Sequence, residues 1–421
     1  MTNLKLLLCA GSVAMGLAFA GSAFADDQTT TPPASTPAAT PAAAPAAAPA
    51  PTPPPYPSMG PTLSNNANSS TFDAGPLGKL TVNGVITGVA YVQDNAAFDF
   101  GDFKFNKDGG YDISNGMATV QKTDGLFQFV VQAGVYSFPT VGNAYIKATT
   151  QTALTFGYAP VAYAKIVPNS AFSFEVGQLP TLIGAELPFT YENANIERGL
   201  LWNQEPLISR GVQFNYSQGP ISASLSVNDG YYSNEFTTVS GLITYTFKNS
   251  DTLTFAASGN ASQNYKTCTF ACTTDGTISF ATPLAQNEGD IFNVIFNHTM
   301  GKWTFTPYFQ YNSVPNDLVT GASGQVWGGA LIAKYSVTPE VSIAGRVEYE
   351  GSSGLANLTF FGPGSNAWSL TVTPTYQKGI FFARAELSYI SVGSGTVGDL
   401  FGNNFDKSNQ FRGFFETGVM F

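Results

Sequence analysis

From about Lys79 to Phe421 the chain alternates strand-like segments with two unlike kinds of connection, first a long loop and then a very short turn. The short ones include Lys122-Thr123-Asp124-Gly125, Val167-Pro168-Asn169-Ser170, Ser217-Gln218-Gly219-Pro220, Thr299-Met300-Gly301-Lys302 and Val337-Thr338-Pro339-Glu340, all rich in turn-forming residues. The connections between them run from about ten to about thirty residues. A sheet built this way has two different ends. Tight turns on one side of a membrane and long loops on the other are the pattern of a transmembrane antiparallel up-and-down β-barrel.

The N-terminus agrees with export. Lys5 precedes an apolar stretch from Leu6 to Ala20, and Ala23-Phe24-Ala25 offers a small-residue cleavage site, so residues 1–25 read as a signal peptide cut after Ala25. Cys9 lies within the apolar run with no small residue before it, which argues against a lipid anchor. Cleavage removes one Lys and no acid, moving the formal charge from −10 to −11 and disfavouring nucleic acid as a partner. No later stretch has the roughly 18 uninterrupted apolar residues of a spanning helix, so any span is made of strands. Only 11% of residues are charged, low for a soluble protein and in keeping with a wall that faces lipid.

Residues 26–78 form a Pro/Ala-rich periplasmic linker, densest up to about residue 62, with runs such as Pro53-Pro54-Pro55. Such a segment builds no core and is either a passive, semi-rigid spacer or a contact to the cell wall. Residues 79–421 form the barrel. Ile221, Ala223, Leu225 and Val227 alternate with Ser222, Ser224, Ser226 and Asn228, one face suited to lipid and the other to water. The same period recurs at Phe127 to Ala133, Val212 to Ser217 and Trp368 to Thr373, and at Phe292 to Asn297 with the even positions outward. Counting segments gives sixteen, from 80–93 through 112–122 and 159–167 to 411–421. An even number returns both ends to the periplasmic side. The last segment places Phe411, Phe415, Val419 and Phe421 on one face, and it must pair with the first to remove two bare edges.

The third long loop, about Leu179 to Ser209, carries Glu186, Glu192, Glu197 and Glu205, with Arg198 inside it and Arg210 just after. Here Gly177-Gln178-Leu179-Pro180-Thr181-Leu182-Ile183-Gly184-Ala185-Glu186 resembles the G-x-L/F-x-T-x-x-G-x-E stretch of the OmpL-like β-barrel porin family. Asn193 or Asn195, and the strand from Gly211 to Asn228-Asp229-Gly230, fit the same pattern. The resemblance implies a water-filled outer-membrane channel for passive diffusion of small hydrophilic solutes, with no cofactor. It also implies a third loop that folds inward, a terminal Phe421 read by the barrel-assembly machinery, and assembly as a homotrimer. In a sixteen-strand barrel the strand opposite this loop is the thirteenth, which carries Arg346 on its polar face, and Arg384 lies on the fifteenth. Two arrangements are open. Either the acids face the two arginines across a constriction and set up a transverse field, or the loop covers the mouth while Arg346 and Arg384 pair with Glu348 and Glu386. Arg412 is expected near the extracellular rim and Lys334 near the periplasmic one.

Cys268 and Cys272 lie in the long loop between the ninth and tenth segments, where the exported compartment permits a disulfide. Two thiols without a nearby His supply at most half of a tetrahedral metal set. Asn106, Asp108 and Asp112 lack the EF-hand glycine. The sole histidine, His298, sits beside a short turn, and there is no G-x-S-x-G or P-loop motif, so enzyme readings find little support. The remaining alternative is a non-conducting barrel whose loops serve adhesion or structural attachment.

Overall fold

In the computed structural model, which describes residues 62–64, 69–96, 107–262, 289–315, 322–356 and 358–421, the chain forms one antiparallel sheet closed on itself. Its strands are β1 (Ser70–Asp73), β2 (Lys79–Gln93), β3 (Gly109–Lys122), β4 (Phe127–Tyr136), β5 (Val161–Ile166), β6 (Phe172–Pro180) and β7 (Ile208–Gln218). Then follow β8 (Ile221–Asn228), β9 (Thr238–Thr246), β10 (Thr252–Asn260), β11 (Asp290–Met300), β12 (Trp303–Val314) and β13 (Gly324–Ser336). The wall is completed by β14 (Val341–Gly354), β15 (Asn366–Lys378), β16 (Phe381–Gly393) and β17 (Asn409–Met420). Each of β2 to β17 pairs with its sequence neighbours, and β17 pairs back onto β2, giving a sixteen-strand barrel with β1 outside it. Closure satisfies every strand's backbone within the wall, the condition for a sheet in hydrocarbon.

The period-two pattern becomes two surfaces. On β15, Trp368, Leu370 and Val372 point outward at 57%, 54% and 42% exposure, whereas Ser369, Thr371 and Thr373 between them are at most 3% exposed. Aromatic side chains gather at both ends of the outer wall. Trp327, Tyr349 and Trp368 form a row at the long-loop end, with centroids 5.4 and 4.8 Å apart, and Trp303 meets Tyr335 at 4.6 Å at the short-turn end. From Trp327 to Tyr335 along β13 is ~26 Å at about 3.3 Å per residue, before tilt, so the two belts flank an apolar band of membrane height.

Two segments expected as strands from 112 and 159 begin at Gly109 and Val161, and the β2–β3 register shifts between Thr87 and Gly88. Of the stretch expected to be linker, residues 62–64 and 69–78 are among the described residues and lie on the barrel near its end. Antiparallel β1 covers Lys79 to Val82 of β2, directly beyond the point where Phe421 exchanges backbone hydrogen bonds with Gly84 at 2.6 and 2.9 Å. Asp112 is on β3, where its carboxylate accepts the Ala148 N–H (2.7 Å) and the Tyr145 hydroxyl (3.3 Å). His298 faces outward at the short-turn end, its Nδ1 2.7 Å from Asp251. Lys334 occupies that end of β13, as expected. Asn106, Cys268 and Cys272 lie outside the described residues.

Candidate functional site

The longest well-described connection is the third long loop, L3 (residues 181–207), between β6 and β7. Its start is set by local hydrogen bonding. The Thr181 hydroxyl accepts the Ile183 N–H at 3.0 Å, and Gly184 then adopts a positive φ of +88°. A Cβ at Gly184 would fall on the Glu205 carboxylate, so the glycine lets the two limbs of L3 meet. Asn193 fastens the next bend, accepting the Leu187 N–H at 2.7 Å and donating to the Leu187 and Phe189 carbonyls at 2.8 and 2.7 Å. Arg198 turns back on its own loop, its guanidinium donating to the carbonyls of Asn195 and Ile196 at 2.7 Å each. Three residues of the family resemblance, Thr181, Gly184 and Asn193, are therefore among those that shape L3.

L3 packs on the inner wall in several directions. Leu182 and Ile183 join Leu242, Ala256 and Ile291 of β9 to β11. Ala185, Ala194 and Leu201 join Ile295, Tyr308, Ala330, Ile332 and Ala344 of β11 to β14. Ile196 meets Val89, Tyr91 and Phe414 on the opposite side. The loop thus lies within the lumen at about mid-height of the strands.

Toward β14 to β17 the contacts are ionic. Arg346, Arg384 and Arg412 point inward from β14, β16 and β17, each 1% exposed. Arg346 donates to Glu186 of L3 (2.7 Å), to Glu348 on its own strand (3.0 Å), to the Glu197 carbonyl (2.8 Å) and to Thr371 (3.3 Å). Arg384 binds Glu416 and donates to the L3 carbonyls of Asn193 and Thr190 at 3.1 and 3.0 Å. Arg412 binds Glu197 (2.7 Å) and the carbonyls of Thr140 and Asn143 in the second long loop (3.1 and 2.6 Å). Glu386 accepts two consecutive L3 amides, Ile196 at 2.5 Å and Glu197 at 2.7 Å. Burial makes these partnerships strong constraints, because a lone charge left in such a place costs several kcal/mol.

Neither arrangement open to the sequence describes this site fully. L3 enters the barrel, yet Glu186 and Glu197 touch guanidinium groups instead of facing them across a gap. Arg346 does pair with Glu348, but Arg384 takes Glu416 and leaves Glu386 to the L3 backbone. The ladder does not include Glu192, whose N–H closes a 3-10 turn (Thr190–Glu192) on the Phe189 carbonyl at 3.1 Å. Nor does it include Glu205, beside Tyr308 and Gly184. Arg412 lies near the long-loop rim as expected, paired with Gln93 at the end of β2, and is also the third member of the ladder. Glu416 was overlooked although it shares the inward phase of β17 with Arg412, opposite Phe411, Phe415 and Val419. That parity was the available signal.

Barrels of similar architecture are known at very low sequence identity. The outer-membrane protein OmpT of Vibrio cholerae is 9% identical, with a TM-score of 0.53 over 85% of this chain and 100% of that one. A form of OmpT described as a trimer gives 9% identity and 0.51 over 80% and 98%. An anion-selective porin from Comamonas acidovorans gives 11% identity and 0.51 over 81% and 99%. At such identities the likeness establishes the fold alone. No curated protein matches the sequence. The family model described as "Putative beta-barrel porin-2, OmpL-like" matches residues 79–421, the whole barrel, and the chain belongs to this family of outer-membrane β-barrels.

Proposed function

We propose that this protein is a porin that passes small hydrophilic solutes by diffusion, with L3 as the narrowing that sets which solutes pass. The observation that carries the reading is the clamp on L3. Two of its consecutive amides are bound to Glu386 and two of its acids to lumen arginines, so the loop crosses the interior at a fixed height. The wall opposite the ladder is lined by short polar side chains, among them Asn215, Ser224, Ser240, Thr254, Asn293 and Thr306, surfaces that suit water and polar solutes. The signal peptide directs export, cleavage after Ala25 releases the mature chain, and the assembly machinery reads Phe421. A trimer is the assembly state in keeping with the V. cholerae relative, with outer-membrane lipid around it. The chemistry is passive, needing no cofactor and no catalytic group.

Because Glu186 and Glu197 already touch lumen guanidinium groups, selectivity depends on which partner is removed. At an effective dielectric near 20, a unit charge within ~6 Å of a passing ion is worth about 3 kcal/mol before salt screening. Reconstituted protein in a planar bilayer is expected to show stepwise conductance. In asymmetric salt, Glu186→Gln with Glu192→Gln and Glu197→Gln should move the reversal potential toward anion selectivity, and Arg346→Gln with Arg384→Gln toward cations.

One observation favours a second reading, a non-conducting barrel with structural or adhesive loops. Glu186, Glu197, Arg198, Leu200 and Leu201 are all at most 3% exposed, so L3 is packed as tightly as a core. Absence of conductance steps from folded protein at every applied voltage would replace the porin with this filled barrel.

A further inference from the structure

Below L3, on the side of β16, β17, β2 and β3, a cluster of apolar side chains points inward. Val85 is paired in register with Met420 on one side and Met117 on the other, so these inward side chains lie at one height near the short-turn end. Phe382 of β16, 0% exposed, extends this belt although it stands two residues from its turn. An inward side chain so close to the mouth is buried only if something covers it. Leu63 does, at 3% exposure in the same cluster. It is held in place by its neighbours: the Thr62 hydroxyl lies 3.2 Å from that of Thr375, and Ser64 exchanges two hydrogen bonds with the Gln377 side chain at 2.7 and 2.8 Å. Gln377 is the register partner of Phe382. From above, the belt meets L3 itself. Phe189 and Tyr191 belong to the same cluster, and the Tyr191 hydroxyl reaches the Met117 sulfur at 4.0 Å and accepts from Gln132 at 2.7 Å.

We infer that residues 62–64 form a latch at the periplasmic mouth, where Leu63 closes the apolar quadrant and supports L3 from beneath through the Phe382, Met420, Val85 and Met117 belt. Seating or withdrawal of residues 62–64 therefore shifts the balance between a seated and a loosened loop. Hydrophobic burial supplies the seat, because withdrawing Leu63 exposes the belt to water.

Hydrogen exchange in the full chain tests this without reference to conduction. In Leu63→Asp, the amides of Ile196, Glu197, Gly199 and Leu200 should exchange about tenfold faster, whereas those of Val347 and Leu370 in the wall keep their protection. A Thr62→Cys, Thr375→Cys pair, made with Cys268→Ser and Cys272→Ser, pins the latch when oxidised. Loop protection should then be at least that of the parent, and it should not rise in Leu63→Asp controls lacking the pair. Unchanged L3 exchange in Leu63→Asp would overturn the inference, and so would equal acceleration of loop and wall, which would make Leu63 a general stabiliser. A barrel that never conducts yet shows the loop-specific response would sink the porin reading and leave the latch standing.

Discussion

Single side chains in this barrel do work that their exposure makes measurable. Arg346 is the member of the ladder that holds two carboxylates, so Arg346→Gln leaves Glu186 and Glu348 buried without their cation and is expected to cost about 3–5 kcal/mol. Adding Glu186→Gln should recover part of that loss, because the second change removes the stranded acid. Urea midpoints of the refolded barrel, with folding judged by heat-modifiable migration, would show a double variant no better than the sum of the singles if the two do not interact. On the outer wall, Gly84 faces the Phe421 ring, which occupies the space a Cβ would need. Gly84→Val should therefore destabilise closure by about 1–3 kcal/mol, and Phe421→Ala in the same chain should relieve the clash while lowering assembly yield. The inward positions of Arg346 and Arg384 were legible in the sequence, because strand parity fixes the facing of a side chain. Their partners were not. Arg346 and Glu186 are 160 positions apart, and Arg384 meets L3 carbonyls more than 190 positions away, distances that periodicity cannot bridge.

Among the elements, strands were the most readable because lipid on one side and polar lumen on the other enforce alternation over nearly every segment. β1 escaped because it lies at the barrel's end, where all four of its residues are exposed and no apolar face is required. The asymmetry of the connections predicts sidedness. In a background without Cys268 and Cys272, a cysteine introduced at Asn260 or Ser353, at the long-loop ends of β10 and β14, should react with an impermeant maleimide on intact cells. One at Asn249, in the turn before β10, should stay unlabelled, and the reverse outcome would invert the topology. That same turn carries a pH-dependent contact. Asp251 is held below the usual carboxylate range, first by the hydrogen bond from His298 and further by Asn249 and the Thr299 N–H. An acid with a depressed folded value stabilises the fold above its unfolded pKa, near 4, and loses that contribution as pH falls through the folded value. Parent and Asp251→Asn should accordingly differ in stability at neutral pH and converge below about pH 4. A gap that persists at lower pH would show that the carboxylate's charge is not the source.

For the molecule as a whole, the closing seam joins the two ends of the barrel sequence. β2 and β17 pair along nine register positions from Arg412↔Gln93 to Met420↔Val85, and Phe421 meets Gly84 just beyond. Deleting Phe421 should reduce insertion and yield a protease-sensitive product that does not shift on heating; normal recovery of heat-modifiable barrel would make the terminal ring incidental. The seam also fixes the order of events in biogenesis. Of the barrel strands, β2 comes first in the chain and its partner β17 last, so one edge of β2 stays bare until the whole sheet is in place. That bare edge makes the survival of this barrel a matter of timing as much as of stability.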